Sequence, residues 1–399
     1  TRRGSYAGYL EISHPEIEEF LDIRKPTGGD INRKSTNVHH GVVVGDDFMT
    51  LIEQATLIEG FDDSWDLIDP HTGVVKKTVS AKTLWVKLIQ NRVETGEPYI
   101  MFRDTVQNAL PDFQKDLGLK VHHSNLCSEI TLATSDDRTA VCCLSSVNLE
   151  EYDEWSDNDQ FIPDLVRMLD NVLEYFIENA PPELWRAVNS AKNERSIGLG
   201  AMGFHAYLQR QDIPFESMWA TSANHKMFKR IKSEATRATK QLATERGECP
   251  DGIGSGLRNT HLLAVAPNAS SSIICGNTSP SIEPYRANAF TQKTKSGSSL
   301  LKNEYLEHAL QEIEMDTNEV WSSIMTNGGS VQHLDFLDEH TKEVFKTGVE
   351  IDQKWVIQHA ADRQQYICQS QSLNVFFPAN VSKQELHAIH MSAWKKKVK

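Results

Sequence analysis

Ser124-Asn125-Leu126-Cys127-Ser128-Glu129-Ile130 is the most informative stretch of this chain. Read as an extended strand, it sets Asn125, Cys127 and Glu129 at i, i+2 and i+4. An amide, a thiol and a carboxylate then project from one face. Leu126 and Ile130 are the neighbouring apolar residues. A lone strand cysteine is also a small buried hydrophobe, and that reading stands beside the chemical one.

Two further segments extend the pattern. A polar stretch, Ser135-Asp136-Asp137-Arg138, leads into Thr139-Ala140-Val141-Cys142-Cys143-Leu144-Ser145-Ser146-Val147-Asn148-Leu149, again strand-like. Adjacent strands would bring Cys142 near Cys127, although a disulfide needs Cα atoms within about 7 Å. Alternation sends Cys143 to the opposite face, so at most one of the pair joins such a site. In Val265-Ala266-Pro267-Asn268-Ala269-Ser270-Ser271-Ser272-Ile273-Ile274 an apolar strand ends at a proline and small hydroxyl residues follow. A phosphate cradle at a helix N-terminus needs those features: free backbone N–H groups, no bulk and hydroxyl donors. A serine-rich helix cap is the other reading.

Apolar spacing predicts helices over Asp164–Asn179, Ala223–Arg246 and Ala81–Val93, with Pro163, Pro181, Gly247 and Pro250 as punctuation. Extended candidates are His40–Val44, Ser124–Thr131, Ala140–Leu149, Leu262–Ala266 and Ser372–Phe377. Their interleaving with helices points to an α/β fold with one continuous core. No composition shift marks a boundary, so residues 1–399 read as a single domain.

Composition narrows the function. The chain has 41 basic and 55 acidic side chains, net −14, which repels phosphate backbones and argues against nucleic acid as a partner. The lysines at 395, 396, 397 and 399 read as a solvated terminus. No apolar run approaches the roughly 20 residues of a membrane span, and Thr1 is followed by polar residues without a secretory h-region. Six cysteines without a C-x-x-C pair fit neither a disulfide scaffold nor a zinc module, so a cytoplasmic protein is expected.

Three patterns read as decoys. Gly198-Leu199-Gly200-Ala201-Met202-Gly203 satisfies G-x-G-x-x-G, but a polar, helical stretch precedes it and no acid lies near Ala223. It lacks the setting of a dinucleotide site and reads as glycines for close helix packing. His39-His40, His122-His123 and His387/His390 carry no accompanying ligand spacing, so no metal is expected. Asn268-Ala269-Ser270 and Asn380-Val381-Ser382 fit glycosylation sequons, with no sign of secretion.

Taken together, Asn-Leu-Cys-x-Glu-Ile, Ala-x-Cys-x-Leu-Ser-x-x-Asn-Leu, Ala-Pro-Asn-Ala-Ser-Ser-Ser and Ser-Pro-Ser-Ile-Glu-Pro-Tyr-Arg (279–286) resemble the large subunit of class I ribonucleotide reductase. Tyr9-Leu10-Glu11 with His14, and Asn193-Glu194-Arg195 with Ile197-Gly198-Leu199-Gly200, resemble its framework, and the likeness runs from Thr1 to Lys399. The resemblance implies a ten-stranded α/β barrel, incomplete at its N-terminal side, with Cys127 on a loop inside it. It implies radical reduction of ribonucleoside diphosphates to deoxyribonucleotides. Cys127 would be the thiyl radical, Glu129 the base for the 3′-hydroxyl and Asn125 its hydrogen-bond partner. An ionised carboxylate of ordinary pKa, about 4.3, suits that role. Cys142 would be one of two reducing cysteines, reset by thiol exchange. Leu126, Ser128 and the loop Pro267, Asn268, Ala269, Ser270 and Ser271 would hold substrate, and Arg2 would belong to an allosteric specificity loop.

The implied partners are a small subunit whose metal generates the radical, a second large subunit, ATP or deoxynucleotide effectors, and a thioredoxin- or glutaredoxin-type dithiol. The chain itself would hold no cofactor. In the family the partner of Cys142 lies upstream of Thr1 and a tyrosine pair follows the Val-Lys of Val398-Lys399. The sequence therefore reads as one piece of a split or interrupted subunit, inactive alone, with companion polypeptides supplying the rest. The rival readings are a non-catalytic fragment that binds nucleotides or partners, and an adenosylcobalamin-dependent reductase. The Asn-Leu-Cys-x-Glu-Ile wording favours the class with a small subunit.

Overall fold

The computed structural model describes residues 4–294 and 297–399. Its strands, in chain order, are β1 (Ala7–Glu11), β2 (His39–Val44), β3 (Ser64–Ile68), β4 (Val75–Ser80), β5 (Tyr99–Phe102), β6 (Leu144–Asn148), β7 (Gly198–Met202), β8 (Ala289–Thr294) and β9 (Gly297–Lys302). β1, β2 and β5 form a parallel sheet in that order. Strands covered on both faces lack hydrophobic alternation. The β2 sequence His-His-Gly-Val-Val-Val follows that rule, being buried from His40 onward. β6 and β7 form a second parallel pair, and β3–β4 and β8–β9 are antiparallel hairpins.

The β6–β7 pair is prolonged by isolated parallel bridges, Leu199 with Leu263 and Val265 with Gln371. Both bridges involve the 262–266 candidate, through Leu263 and Val265, whereas the 372–377 candidate forms none and its neighbour Gln371 pairs instead. Among the described residues the regular ladders do not close into a continuous barrel. The 140–149 candidate contracts to Leu144–Asn148.

The helices agree better with the sequence pattern. They span Phe161–Asn179, Met218–Arg246 and Ala81–Thr95, the last two ending at Gly247 (φ 87°) and Gly96 (φ 78°). Positive φ suits glycine, which has no Cβ to clash. The longer helix also begins earlier than its apolar pattern, because Ser217 caps it through the Ala220 N–H.

The apolar core has two large parts. One surrounds β6 and β7, with Leu199, Phe204, Phe215 and Phe228 among its members. The other underlies β1, β2 and β5, with Phe48, Trp85 and Trp394. The helix Gln353–Gln364 serves both, sending Val356 to the first and Ile357 and Ala360 to the second. Leu373 packs against both.

The glycines of 198–203 make strand contacts, where the sequence had suggested helix packing. A Cβ on Gly198 would stand 2.3 Å from the Leu144 side chain, and one on Gly200 2.5 Å from the Ala264 carbonyl oxygen. G-x-G here lies on β7 itself and lets neighbouring strands approach. The turn that a dinucleotide pyrophosphate requires is absent.

Candidate active site

The segment around Cys127 is a turn. The expected one-face alternation fails at Ser128, whose φ of +62° is left-handed. Residues 124–131 form no ladder with a neighbouring strand. The Ser128 N–H donates to the Asn125 carbonyl (3.2 Å), closing a tight turn with Cys127 inside it. Asn125 organises the rest: its Oδ1 accepts the Ile130 N–H (3.2 Å) and the Ser124 hydroxyl (3.3 Å). Two distant segments clamp the turn. The Tyr9 hydroxyl donates to the Asn125 carbonyl (2.7 Å), and the Ser370 N–H donates to the Glu129 carbonyl (2.9 Å).

Leu126, Cys127 and Ser128 open onto a cavity of about 720 Å³, together with Pro267. This is the size of a pocket for a small organic ligand. Its wall includes the cations Arg92, Arg286 and Lys399, with His39 and a His390 that burial lowers to about 3 and so keeps neutral, and among the described residues it contains no aspartate or glutamate. In a chain of net charge −14 this is a local reversal of sign. A concave, cation-lined wall raises the local concentration of anions. Burial lowers Lys399 to about 8 and Arg92 to about 10. Among the described residues no group of three or more His, Cys, Asp or Glu is arranged to hold a metal.

Glu129 is 2% exposed, and its Oε2 has no hydrogen-bond partner. Burial raises its pKa against the opposing contact with Asn125, so it is more basic than the ordinary carboxylate expected from sequence. Burial, and then the Glu129 charge, raise the Cys127 thiol. Solvent still reaches the Cys142 side chain. Protein crowded around its sulfur nonetheless pushes that thiol up to about 12, with Glu129, Cys143 and Cys127 adding to the effect. Cys142 is thus within electrostatic reach of both Cys127 and Glu129, whereas Cys143 is buried and turned toward the Leu169 carbonyl. All of these cysteines are free thiols.

A nucleophilic cysteine is normally found with its pKa depressed by cations or a helix N-terminus. The environment of Cys127 does the opposite and keeps the hydrogen on sulfur. That suits hydrogen-atom exchange and works against thiolate attack.

The Pro267–Ser271 loop sits beside the turn. Asn268 has φ +50°, and its Oδ1 accepts the Ser146 hydroxyl at the heart of β6 (3.1 Å). Ala269, Ser270 and Ser271 are exposed, and Ser271 opens a helix of only four residues, Ser271–Ile274. The structure therefore groups Asn125 to Glu129 with Cys142 and Pro267, and β6 tethers the rest of the serine loop. Arg2 lies outside the described residues.

Sequence reasoning gave no role to several residues at this site. Tyr9 and Tyr99 line the cavity from β1 and β5, and Ser370 comes from just before the Ser372–Phe377 strand candidate. The 279–286 motif also reaches the site. Its Glu283 accepts from the Asn374 amide, and Arg286 reaches the cavity with its guanidinium 5.3 Å from the Phe376 ring. His39 and His40 are both engaged by Glu97, which they hold down to about 2 against the opposing effect of burial.

The chain matches the family model for the ribonucleotide reductase barrel domain over residues 1–252 and 251–399. It is 51% identical over 397 residues to a putative ribonucleoside-diphosphate reductase large subunit of Frog virus 3 (isolate Goorha), covering 99% of this chain and 68% of that protein. It is 48% identical to the ribonucleoside-diphosphate reductase large subunit of Invertebrate iridescent virus 3, covering 99% of this chain and 70% of the relative. Among solved structures it resembles the class Id ribonucleotide reductase alpha subunit of Actinobacillus ureae, with a TM-score of 0.87, 39% identity, and coverage of 99% of this chain and 69% of the other.

Proposed function

We propose, from the premise that this chain belongs to the ribonucleotide reductase large-subunit family, that its Cys127 turn carries out radical reduction of a ribonucleoside diphosphate. The observation that carries this reading is the grouping of Cys127, the raised carboxylate of Glu129 and Cys142 around one turn, beside a cation-lined cavity. The diphosphate would meet the 267–271 loop, through its exposed backbone and hydroxyls, and the cationic wall.

The chemistry follows from the residue types. Oxidised to a thiyl radical, Cys127 takes the 3′ hydrogen atom of the ribose and becomes S–H, leaving a carbon radical. Glu129 accepts the 3′-hydroxyl proton, and the 2′-hydroxyl leaves as water. Two electrons and their protons come from Cys142 and a second thiol, which end as a disulfide. Glu129 returns its proton to the 3′ oxygen, and Cys127 returns its hydrogen to C3′ and regains the radical. The net change is one ribonucleotide and two thiols to one deoxyribonucleotide, one water and one disulfide. Asn125 holds the turn together and faces Glu129.

The initiating radical would come from a metal-containing small subunit. A second large subunit, ATP or deoxynucleotide effectors acting near Arg2, and an external dithiol complete the working enzyme in this reading. No helix among the described residues is long and apolar enough to cross a membrane, and we place the protein in the cytoplasm. The decisive test is Cys127→Ser in the complete large subunit assayed with its small subunit and a dithiol. Deoxynucleotide formation should vanish while the thermal transition stays in place, and retained turnover would overturn the assignment.

A further inference from the structure

Tyr9 is packed as a rigid strut. It stands opposite Gly41 in the parallel register of β1 and β2, and a Cβ on Gly41 would lie 2.4 Å from the Tyr9 ring. The missing side chain lets the ring lie across β2. On its other flank the ring stacks on His123, with centroids 6.0 Å apart and planes inclined by 26°. Its hydroxyl meets the Asn125 carbonyl at 2.7 Å, 116 residues away in sequence. That same carbonyl accepts the Ser128 N–H that closes the turn. One oxygen therefore both sets the shape of the Cys127 turn and fastens it to the sheet. Burial holds the Tyr9 phenol above its ordinary range, so it remains a donor at physiological pH.

We infer that Tyr9 is a positioning residue for Cys127, fixing the sulfur in the cavity by hydrogen-bonding the turn to β1. Hydrogen-atom transfer requires the reacting atoms in near-contact, and a displacement of about 1 Å costs roughly 100-fold in rate. Tyr9→Phe keeps the ring between Gly41 and His123 and deletes only the hydroxyl. The Asn125 carbonyl then keeps a single donor, and the turn is free to shift. The kinetic half of this inference rests on the proposed reaction, whereas the positional half does not.

The test uses the complete large subunit and follows three readouts in Tyr9→Phe. Iodoacetamide alkylation of Cys127, quantified by mass spectrometry, should change several-fold, while the exposed Cys275 stays at its wild-type rate. With the small subunit present, kcat should fall roughly 10- to 100-fold with KM nearly constant. The thermal transition should move by only a few degrees. Unaltered Cys127 alkylation overturns the inference, as does an unaltered kcat in an active enzyme. A variant that fails to fold, or one in which Cys127 and Cys275 change together, also overturns it by making Tyr9 a general structural element. If the wild type shows no reductase activity but Cys127 alkylation still depends on Tyr9, the proposed function falls and the positioning stands.

Discussion

Glu129 and Asp170 are buried to almost the same degree, at 2% and 0% exposure, yet their surroundings push them in opposite directions. Glu129 has one oxygen without a partner and a raised pKa. Asp170, on the Phe161–Asn179 helix, is enclosed by arginines. Arg195 lies 3.0 Å from its Oδ1, Arg258 3.4 Å from the same oxygen, and Arg246 2.7 Å from Oδ2, with the Asn259 amide at 3.2 Å. Burial alone would raise Asp170, but Arg195 and Arg258 overcome it and its pKa is lowered. Burial is therefore the common cost, and the available partners decide whether a carboxylate becomes scaffold or stays reactive.

The sharpest way to break this comparison is Glu129→Gln. It should reduce kcat by roughly 10²- to 10⁴-fold, the usual span for losing a general base. Because the pKa of Glu129 is raised in the folded state, its ionisation opposes folding as pH climbs from the ordinary carboxylate range through the raised value. The amide should then leave Tm at pH 7 unchanged or higher, and a marked fall in Tm by calorimetry would place Glu129 with the scaffold. In the wild type, activity should be lost on acidification at a pH above the ordinary carboxylate range of about 4.3. A pH–rate profile without that limb would remove Glu129 as the base.

Asp170→Asn should have the opposite signature. Stranding three arginines should cost about 3–5 kcal/mol, read from urea unfolding, with kcat of the folded fraction nearly unchanged. The sign follows from its lowered pKa: the stability is present above the unfolded carboxylate value and lost as pH falls through the folded one. Gly200→Ala probes the same scaffold, since its Cβ meets the Ala264 backbone oxygen at 2.5 Å. About 1–3 kcal/mol should be lost, and an undiminished denaturation midpoint would show that β7 can yield. The smallest effect is expected at the serine loop. Ser146→Ala removes the bond to Asn268, worth about 1 kcal/mol. KM for the diphosphate should rise several-fold, and a constant KM would detach that loop from substrate binding.

The helices were legible because their signals are local. Apolar spacing and the breakers at Pro181 and Gly247 lie within the segment that they govern. The strands were less so. Leu262–Ala266 and Ser372–Phe377 have strand composition, but the first gains only two isolated bridges and the second none, because pairing depends on partners far along the chain. The glycines of β7 show the same limit. Their spacing was plain, whereas the Leu144 side chain and Ala264 backbone that require them became visible only in the fold.

At the site, the sequence by itself determined the chemical inventory: an amide, a thiol and a carboxylate in five residues, a second cysteine downstream and a small-residue loop. The motif set also carried the family, which the comparisons bear out. Tertiary structure decided how those groups are presented. It turned an expected strand into a turn at Ser128, clamped by Tyr9 and Ser370 from distant segments. It also made Glu129 more basic than its residue type implies and kept the Cys127 hydrogen on sulfur. The physical reason is that residue type sets a group's intrinsic reactivity, whereas desolvation and long-range hydrogen bonds come from chain that folding brings in from far away.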